Sequence, residues 1–336
     1  MNWHNLINSK LLALACLIFL VFVLTACGGG GGGDVVGGPA PAPPPVVDPC
    51  DSTSVLEDGV CRPFATRSDE RMPTPFVEDG QSVTLEVVVF KPLAQAMMAG
   101  RTATTEDNGT RYPTLVFHHG STGNGSDPSL FGLTFFSKTV AQFFVERGWM
   151  VAFPQRRGRG SSDGLYDEGF KPDRSAYSCQ ADLALGGADH ALDDLDAITD
   201  WLRNRADVDA TRMLVGGTSR GGILSVAHVA RRPDVYRGAI NFVGGWLGEG
   251  CGDYRVVNRT MFEEGAGFPG PTLWLYGAND SFYSLPYSRT NFDAYTGAGG
   301  LGVFEVFMRA PGRNGHFLIN DPALWEMEMD AFLGEL

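Results

Sequence analysis

The run from Arg212 to Gly222 reads Arg-Met-Leu-Val-Gly-Gly-Thr-Ser-Arg-Gly-Gly, which sets Ser219 in a Gly-x-Ser-x-Gly pentapeptide between an apolar strand pattern and a helical one. A serine on a tight strand-to-helix turn is held in a strained backbone conformation with its hydroxyl outward, and the residues two before and two after must be very small for the turn to close. Gly217 and Gly221 meet that demand. Gly160-Ser-Ser-Asp-Gly164 has the same spacing, but Leu165 to Pro172 behind it has no helical period and ends in a helix breaker. After Ser219, apolar residues recur at Ile223, Leu224, Val226, Ala227 and Ala230, and the pattern stops at Arg231-Arg-Pro233. Ser219 is therefore the candidate nucleophile, and Gly160 to Gly164 reads as a turn.

A serine hydroxyl is a poor nucleophile at neutral pH; it needs a base within hydrogen-bond reach and a further group to orient that base. In a strand-elbow arrangement these follow in the chain as serine, acid, histidine. His316, in the glycine-rich loop after the last strand pattern, is the candidate base, because His228 lies nine residues along the elbow helix and reads as a packed or surface side chain. Asp280 follows the buried strand pattern Thr272 to Tyr276 and is the candidate acid. Of its competitors, Asp321 before Pro322 reads as a helix cap, and Asp253 lies in a loop too long to place.

The oxyanion of acyl transfer needs two preset N–H donors. The backbone of Arg220, at the start of the elbow helix, is one candidate, and the loop His118-His-Gly-Ser-Thr-Gly-Asn-Gly125 supplies the other, with Ser121 preferred and Gly120 next. Trp246, Phe282 and Tyr283 follow strand ends on the same side and are candidates for a substrate pocket, a pattern that ordinary loop packing matches equally well. No metal site is expected: adjacent His118 and His119 on a strand point to opposite faces, and no Cys-x-x-Cys or paired-histidine spacing occurs.

These groups must be carried by a framework, and the chain alternates strand and helix patterns, the signature of a mainly parallel sheet covered on both faces. Strands are expected at Val83 to Phe90, Thr114 to Phe117, Trp149 to Pro154, Met213 to Val215, Ala239 to Val243, Thr272 to Tyr276 and Val303 to Met308. Helices are expected around Phe135 to Arg147, through Ala188 to Leu202, after Ser219, and at Ala323 to Leu333. The long helix has apolar residues at helical spacing, and its charged face, with Asp189, Asp193, Asp194, Asp196 and Asp200, reads as solvated. The loops Gly164 to Gly186 and Gly244 to Gly270 are expected to form a lid.

Residues 1 to 26 read as an export signal, with Lys10 followed by a sixteen-residue apolar run too short and too terminal for a spanning helix. Leu24-Thr-Ala-Cys27 resembles a bacterial lipobox, which implies cleavage before Cys27 and its acylation, and Gly28 rather than an acid after it resembles lipoproteins sorted to an outer membrane or the cell surface. Residues 27 to 75 follow as a lipidated cysteine, a Gly/Pro-rich tether and a small loop, and 76 to 336 as the catalytic domain. In an exported chain the four remaining cysteines suggest disulfides; Cys50 with Cys61 and Cys179 with Cys251 is the favoured connectivity of three. The net charge of −13, with one small basic knot at Arg156-Arg-Gly-Arg159, argues against a nucleic-acid partner. Partners are then a small-molecule ester substrate and, through Cys27, a membrane.

The chain resembles the α/β-hydrolase superfamily, most of all its dienelactone-hydrolase-like and S9-peptidase-like members, from about Val83 onward. The resemblance rests on His119-Gly-Ser-Thr-Gly123, Pro154 to Gly160, Gly217-Thr-Ser-Arg-Gly221, the Gly277 to Asp280 turn and Gly315-His316, in that order. It implies a serine hydrolase that uses the residues named above and needs no cofactor. Dienelactone hydrolases proper use a cysteine where this chain has Ser219, so their substrate does not carry over. The leading expectation is a serine hydrolase of carboxylic esters; an exopeptidase or amidase with the same triad is the alternative, and a non-catalytic surface binding protein on a hydrolase scaffold is the reading from another class.

Overall fold

The computed structural model describes residues 48–93 and 109–336. The proposed export signal, the acylated Cys27 and the tether up to residue 47 lie outside the described residues. Eight strands form one sheet: β3 (Ala65–Glu78), β4 (Gln81–Pro92), β5 (Tyr112–His118), β6 (Met150–Pro154), β7 (Val208–Thr218), β8 (Tyr236–Phe242), β9 (Pro271–Gly277) and β10 (Leu301–Phe307). Their order is β10-β9-β8-β7-β5-β6-β4-β3, and all neighbours from β10 to β6 are parallel. Strand β4 runs antiparallel to β6, and β3 antiparallel to β4. A separate hairpin, β1 (Ser54–Glu57) and β2 (Val60–Pro63), precedes them.

Parallel strands need helical crossovers, and the apolar runs in β5 to β9 are buried on both faces as such strands must be. Side-chain alternation divides them between two cores: Val88, Phe90, Leu115 and Phe117 enter one, and Val87, Val89 and Val116 the other. The helices are α1 (Lys138–Glu146), α2 (Ala181–Arg203), α3 (Arg220–Arg231), α4 (Tyr254–Gly265), α5 (Leu285–Gly297) and α6 (Pro322–Gly334). Ser137 caps α1 by accepting from the Val140 amide.

Four features depart from the sequence reading. Strand β3 crosses the expected domain start at residue 76, and its mostly exposed, polar run is an edge strand with little hydrophobic signal. Helix α4 occupies part of the expected lid loop and α5 a stretch given no element, and their polar residues outnumber the few apolar ones that pack inward. The acidic face of α2 is not simply solvated. Asp189 pairs with Arg231, Asp196 and Asp200 with Arg232, and Asp194 is buried against Arg157, whose Nε lies 2.6 Å from it. Burial pushes the Asp194 carboxyl up to about 7 against the pull of that guanidinium. Asp321 takes the position before α6, but its carboxylate is drawn to Arg309 and makes no side-chain cap.

Both disulfides form with the favoured pairing, Cys50–Cys61 and Cys179–Cys251. Among the described residues no helix is long and apolar enough to cross a membrane, and no cluster of three or more His, Cys, Asp or Glu is arranged to hold a metal.

Candidate active site

Strand β7 ends at Thr218 and α3 begins at Arg220, so one residue makes the turn between them. That residue is Ser219, with φ 56° and ψ −122°. A side chain in this region costs of order 1–3 kcal/mol and persists only where the surroundings enforce it. The enforcement is visible: a Cβ on Gly217 would sit 2.3 Å from the Gly221 carbonyl group, and one on Gly221 would sit 2.1 Å from the His118 carbonyl oxygen. The elbow therefore closes only with glycine at both places, and it presses the end of β5 against the start of α3.

The loops after β9 and β10 bring Asp280 and His316 together. His316 Nδ1 lies 2.8 Å from Asp280 Oδ2. The other carboxylate oxygen accepts from the amides of Phe282 at 2.7 Å and Tyr283 at 3.1 Å, so the acid is fixed by its own turn. A carboxylate accepts only, so the imidazole proton belongs on Nδ1 and Nε2 is left with its lone pair. Asn314 Oδ1 accepts from the His316 amide at 3.0 Å, and the Phe282 ring packs 4.4 Å from the imidazole. His316 and Ser219 line one cavity of about 700 Å³ without a hydrogen bond between them, a contact that often tightens only around substrate.

The loop after β5 faces the serine. A Cβ on Gly120 would lie 3.1 Å from Ser219 Cβ and 3.7 Å from its Oγ, so glycine allows the backbone to pass against the side chain. Gly120 O accepts from His119 Nδ1 at 2.8 Å. Arg156 Nη2 lies 3.0 Å from the same Nδ1, and Nε2 accepts from the Arg156 amide at 3.3 Å. Burial, and after it Arg156 and Arg159, holds the His119 ring well below its ordinary value, so the ring stays neutral. Because a trans peptide sets N–H opposite C=O, a Gly120 carbonyl turned to His119 turns the Ser121 amide the other way. That amide has no acceptor among the described residues. The Arg220 amide, at the first position of α3, likewise has no partner within its helix.

Trp246, Phe282 and Tyr283 all line the cavity. Phe282 is 45% exposed at the mouth beside Phe317 at 49%, whereas Tyr283 is buried and donates to Gly245 O at 2.7 Å. Both expected lid segments contribute, through Tyr177 and Cys179 on one and Trp246 and Cys251 on the other, and the Cys179–Cys251 disulfide joins them in the cavity wall. Those segments are only partly loop, since α2 starts at Ala181 and α4 fills Tyr254–Gly265.

Sequence reasoning missed the group behind the wall. Glu168 is buried between Arg156, whose Nε lies 2.6 Å away, and Arg220, whose Nη1 lies 3.3 Å away. Burial alone would raise the Glu168 carboxyl, but the two guanidinium groups outweigh it and hold it below its ordinary value. Arg220 also donates to Trp246 O at 3.1 Å and Glu168 O at 2.9 Å, and its guanidinium lies 3.8 Å from the Tyr177 ring and 4.3 Å from that of Trp246. One side chain on the elbow helix thus ties down both lid segments. The signal was the Arg156-Arg-Gly-Arg159 run, whose charge suited a surface knot until its carboxylate partners were placed.

Residues 134–246 match the prolyl oligopeptidase family, peptidase S9. No curated protein sequence matches the chain. Among solved structures, the chain superposes on an acylaminoacyl peptidase from Pyrococcus horikoshii with a TM-score of 0.52 at 15% identity, covering 81% of this chain and 41% of that one. It superposes on an esterase from Pyrococcus furiosus with a TM-score of 0.52 at 13% identity, covering 81% of this chain and 91% of that one. The chain has the α/β-hydrolase fold. In this fold the elbow, the Asp280–His316 pair and the loop after β5 all lie at the carboxyl edge of the parallel strands, where open α/β sheets place their ligands. The matched S9 segment runs from just before α1 through the elbow to Trp246. The chain spans less than half of the acylaminoacyl peptidase, and the likeness to both structures concerns the fold.

Proposed function

We propose that this chain is a serine hydrolase of carboxylic esters. Ser219 Oγ attacks the acyl carbon while His316 Nε2 takes the hydroxyl proton, and Asp280 holds the imidazole in register. The carbonyl oxygen becomes an oxyanion that accepts from the amides of Arg220 and of Ser121, with Gly120 behind it. Collapse breaks the ester C–O bond, and His316 returns the proton to the leaving alcohol. Water then adds to the acyl-enzyme with His316 as base, which frees the acid and Ser219. The observation that carries this reading is the 2.8 Å contact between His316 and Asp280 on the cavity that Ser219 lines.

The same machinery cleaves amides. An aminopeptidase, however, must seat a substrate ammonium, and among the described residues the cavity wall presents Arg159, Lys171 and Arg220 with no aspartate or glutamate. That balance favours esters. A fluorophosphonate is expected to label the full chain once, at Ser219, and p-nitrophenyl esters to turn over faster than aminoacyl anilides. Well-folded protein that takes up no label would leave the scaffold reading, and faster anilide turnover would reverse the preference.

The reading includes export and anchoring through an acylated Cys27, at the periplasmic face of an outer membrane or the cell surface. Two disulfides among the described residues suit an oxidising compartment. Radiolabelled palmitate is expected in the wild-type chain expressed in a bacterial host and to be lost in Cys27→Ala; equal incorporation in both would remove the anchor from this account.

A further inference from the structure

We propose that Phe282 and Phe317 form the subsite for the departing alcohol, and that the substrate is an ester whose alcohol part is bulky and apolar. The proposal rests on the hydrolase reading above and narrows its substrate class.

Among the described residues every phenylalanine, tyrosine and tryptophan other than these two is buried or half-buried, whereas Phe282 is 45% and Phe317 49% exposed. Both line the catalytic cavity. A single apolar side chain at a surface is ordinary, but two large rings left open in one concave site mark a place that an apolar group covers. Each is fastened to the machinery it flanks. Phe282 lies two residues after Asp280 and donates its amide to that carboxylate at 2.7 Å; Phe317 follows His316 directly, and its amide donates to Asn314 O at 3.2 Å. The two rings stand 4.4 and 5.9 Å from the imidazole. Their backbone is thus fixed before a ligand arrives, which spares part of the ordering cost of binding.

The proton transfers determine which part of an ester meets these rings. At the tetrahedral carbon the oxyanion turns to the amides of Arg220 and Ser121, and the leaving oxygen must come within hydrogen-bond reach of His316 Nε2 to receive its proton. The carbons of the alcohol continue from that oxygen, so they emerge beside the imidazole and against Phe282 and Phe317, while the acyl chain leaves the same carbon in another direction. An alcohol that carries a ring buries apolar area there that a methyl group does not reach. The subsite also admits the reverse step. An alcohol seated in it gives its proton to His316, its oxygen bonds to the acyl carbon, the bond to Ser219 Oγ breaks, and His316 returns the proton to Oγ, which releases a new ester in place of the acid.

The test compares benzyl acetate with methyl acetate on the full-length chain, in detergent at one fixed concentration. Both give the same acetyl-enzyme, so deacylation is common to them and kcat/KM reports the step in which the alcohol is still present. The wild type is expected to favour the benzyl ester about tenfold or more. In Phe317→Ala and in Phe282→Ala the ratio falls toward one, and in Phe317→Leu part of it remains. If the rings serve only to shelter His316 from water, Phe317→Ala lowers both acetates by the same factor, and the proposal fails. It fails also if the wild type shows no preference. Should the alanine variants not fold, the acetyl-enzyme formed from p-nitrophenyl acetate decides on the wild type: benzyl alcohol is expected to divert more acetyl groups into its own acetate than an equal concentration of methanol does, and to do so saturably. Equal or smaller diversion overturns the subsite. Loss of the hydrolase reading itself would show separately, as absence of fluorophosphonate labelling.

Discussion

Ser219→Ala is expected to lower ester turnover by about a million-fold, and Asp280→Asn by about ten-thousand-fold, with unfolding midpoints close to that of the wild type. The first removes the nucleophile. The second keeps the shape but offers an amide where His316 Nδ1 now meets a carboxylate, so the imidazole loses its orientation and its proton shifts to the nitrogen that must act as base. The two should not multiply, because a base without a nucleophile has nothing to activate. Ser219→Gly adds a second readout. Glycine tolerates a φ of 56°, so this variant should be inactive and more stable than wild type by about 1 kcal/mol, as strain at the elbow is relieved. Activity retained in Ser219→Ala would end the acyl-enzyme account, and a destabilised Ser219→Gly would show that the turn is not strained.

Glu168→Ala is expected to destabilise the protein by about 3–5 kcal/mol, the largest single loss outside the apolar cores, since it leaves Arg156 and Arg220 buried and uncompensated. Chemical denaturation of wild type and variant measures it. The sign of the pH dependence follows from a carboxyl held below its ordinary value: the stabilisation is fully present above that ordinary value and is lost only as pH falls through the lowered one. The gap to Glu168→Gln should therefore stay constant from neutral pH down through mild acid and close below it. Activity should fall as well, because Arg220 fastens the backbone at Trp246 and at Glu168, one in each of the two segments that flank the cavity. A loss below about 1 kcal/mol, the size expected of a surface pair, would mean that the group is wetter than its burial implies.

The elbow and the two residues that meet at the carboxyl edge could be read from the chain because each is local. Gly217 and Gly221 flank Ser219 within five residues, Asp280 follows the buried strand β9, and His316 follows β10, an exposed edge strand whose apolar residues from Val303 to Met308 still show in the sequence. The Glu168 group was not readable, since Arg156 and Glu168 sit in the long connection between β6 and α2, Arg220 opens α3, and only tertiary packing gives them a shared interior. Asp194 was misread for a related reason. Helical spacing placed it on the charged face of α2, and the Arg157 that covers it is thirty-seven residues away. Strand β3 carries too few buried residues to show a period of two, and it is held by its ladder with β4 rather than by a hydrophobic face. Helices α4 and α5 contact each other and α3 more than the sheet, so their apolar residues are few and scattered.

The Cys50–Cys61 bridge fixes how a mechanical load would travel. A pull arriving along the chain at Asp48 reaches Cys50 within two residues, crosses the sulfur bond and re-enters the backbone at Cys61. Residues 51 to 60, the turn of the β1–β2 hairpin among them, are bypassed and stay slack. The force is handed to the first residues of β3, whose ladder with β4 extends from Ala65 paired to Pro92 through to Glu78 paired to Gln81. Resistance to traction therefore resides in that one seam, on the opposite border of the sheet from β10.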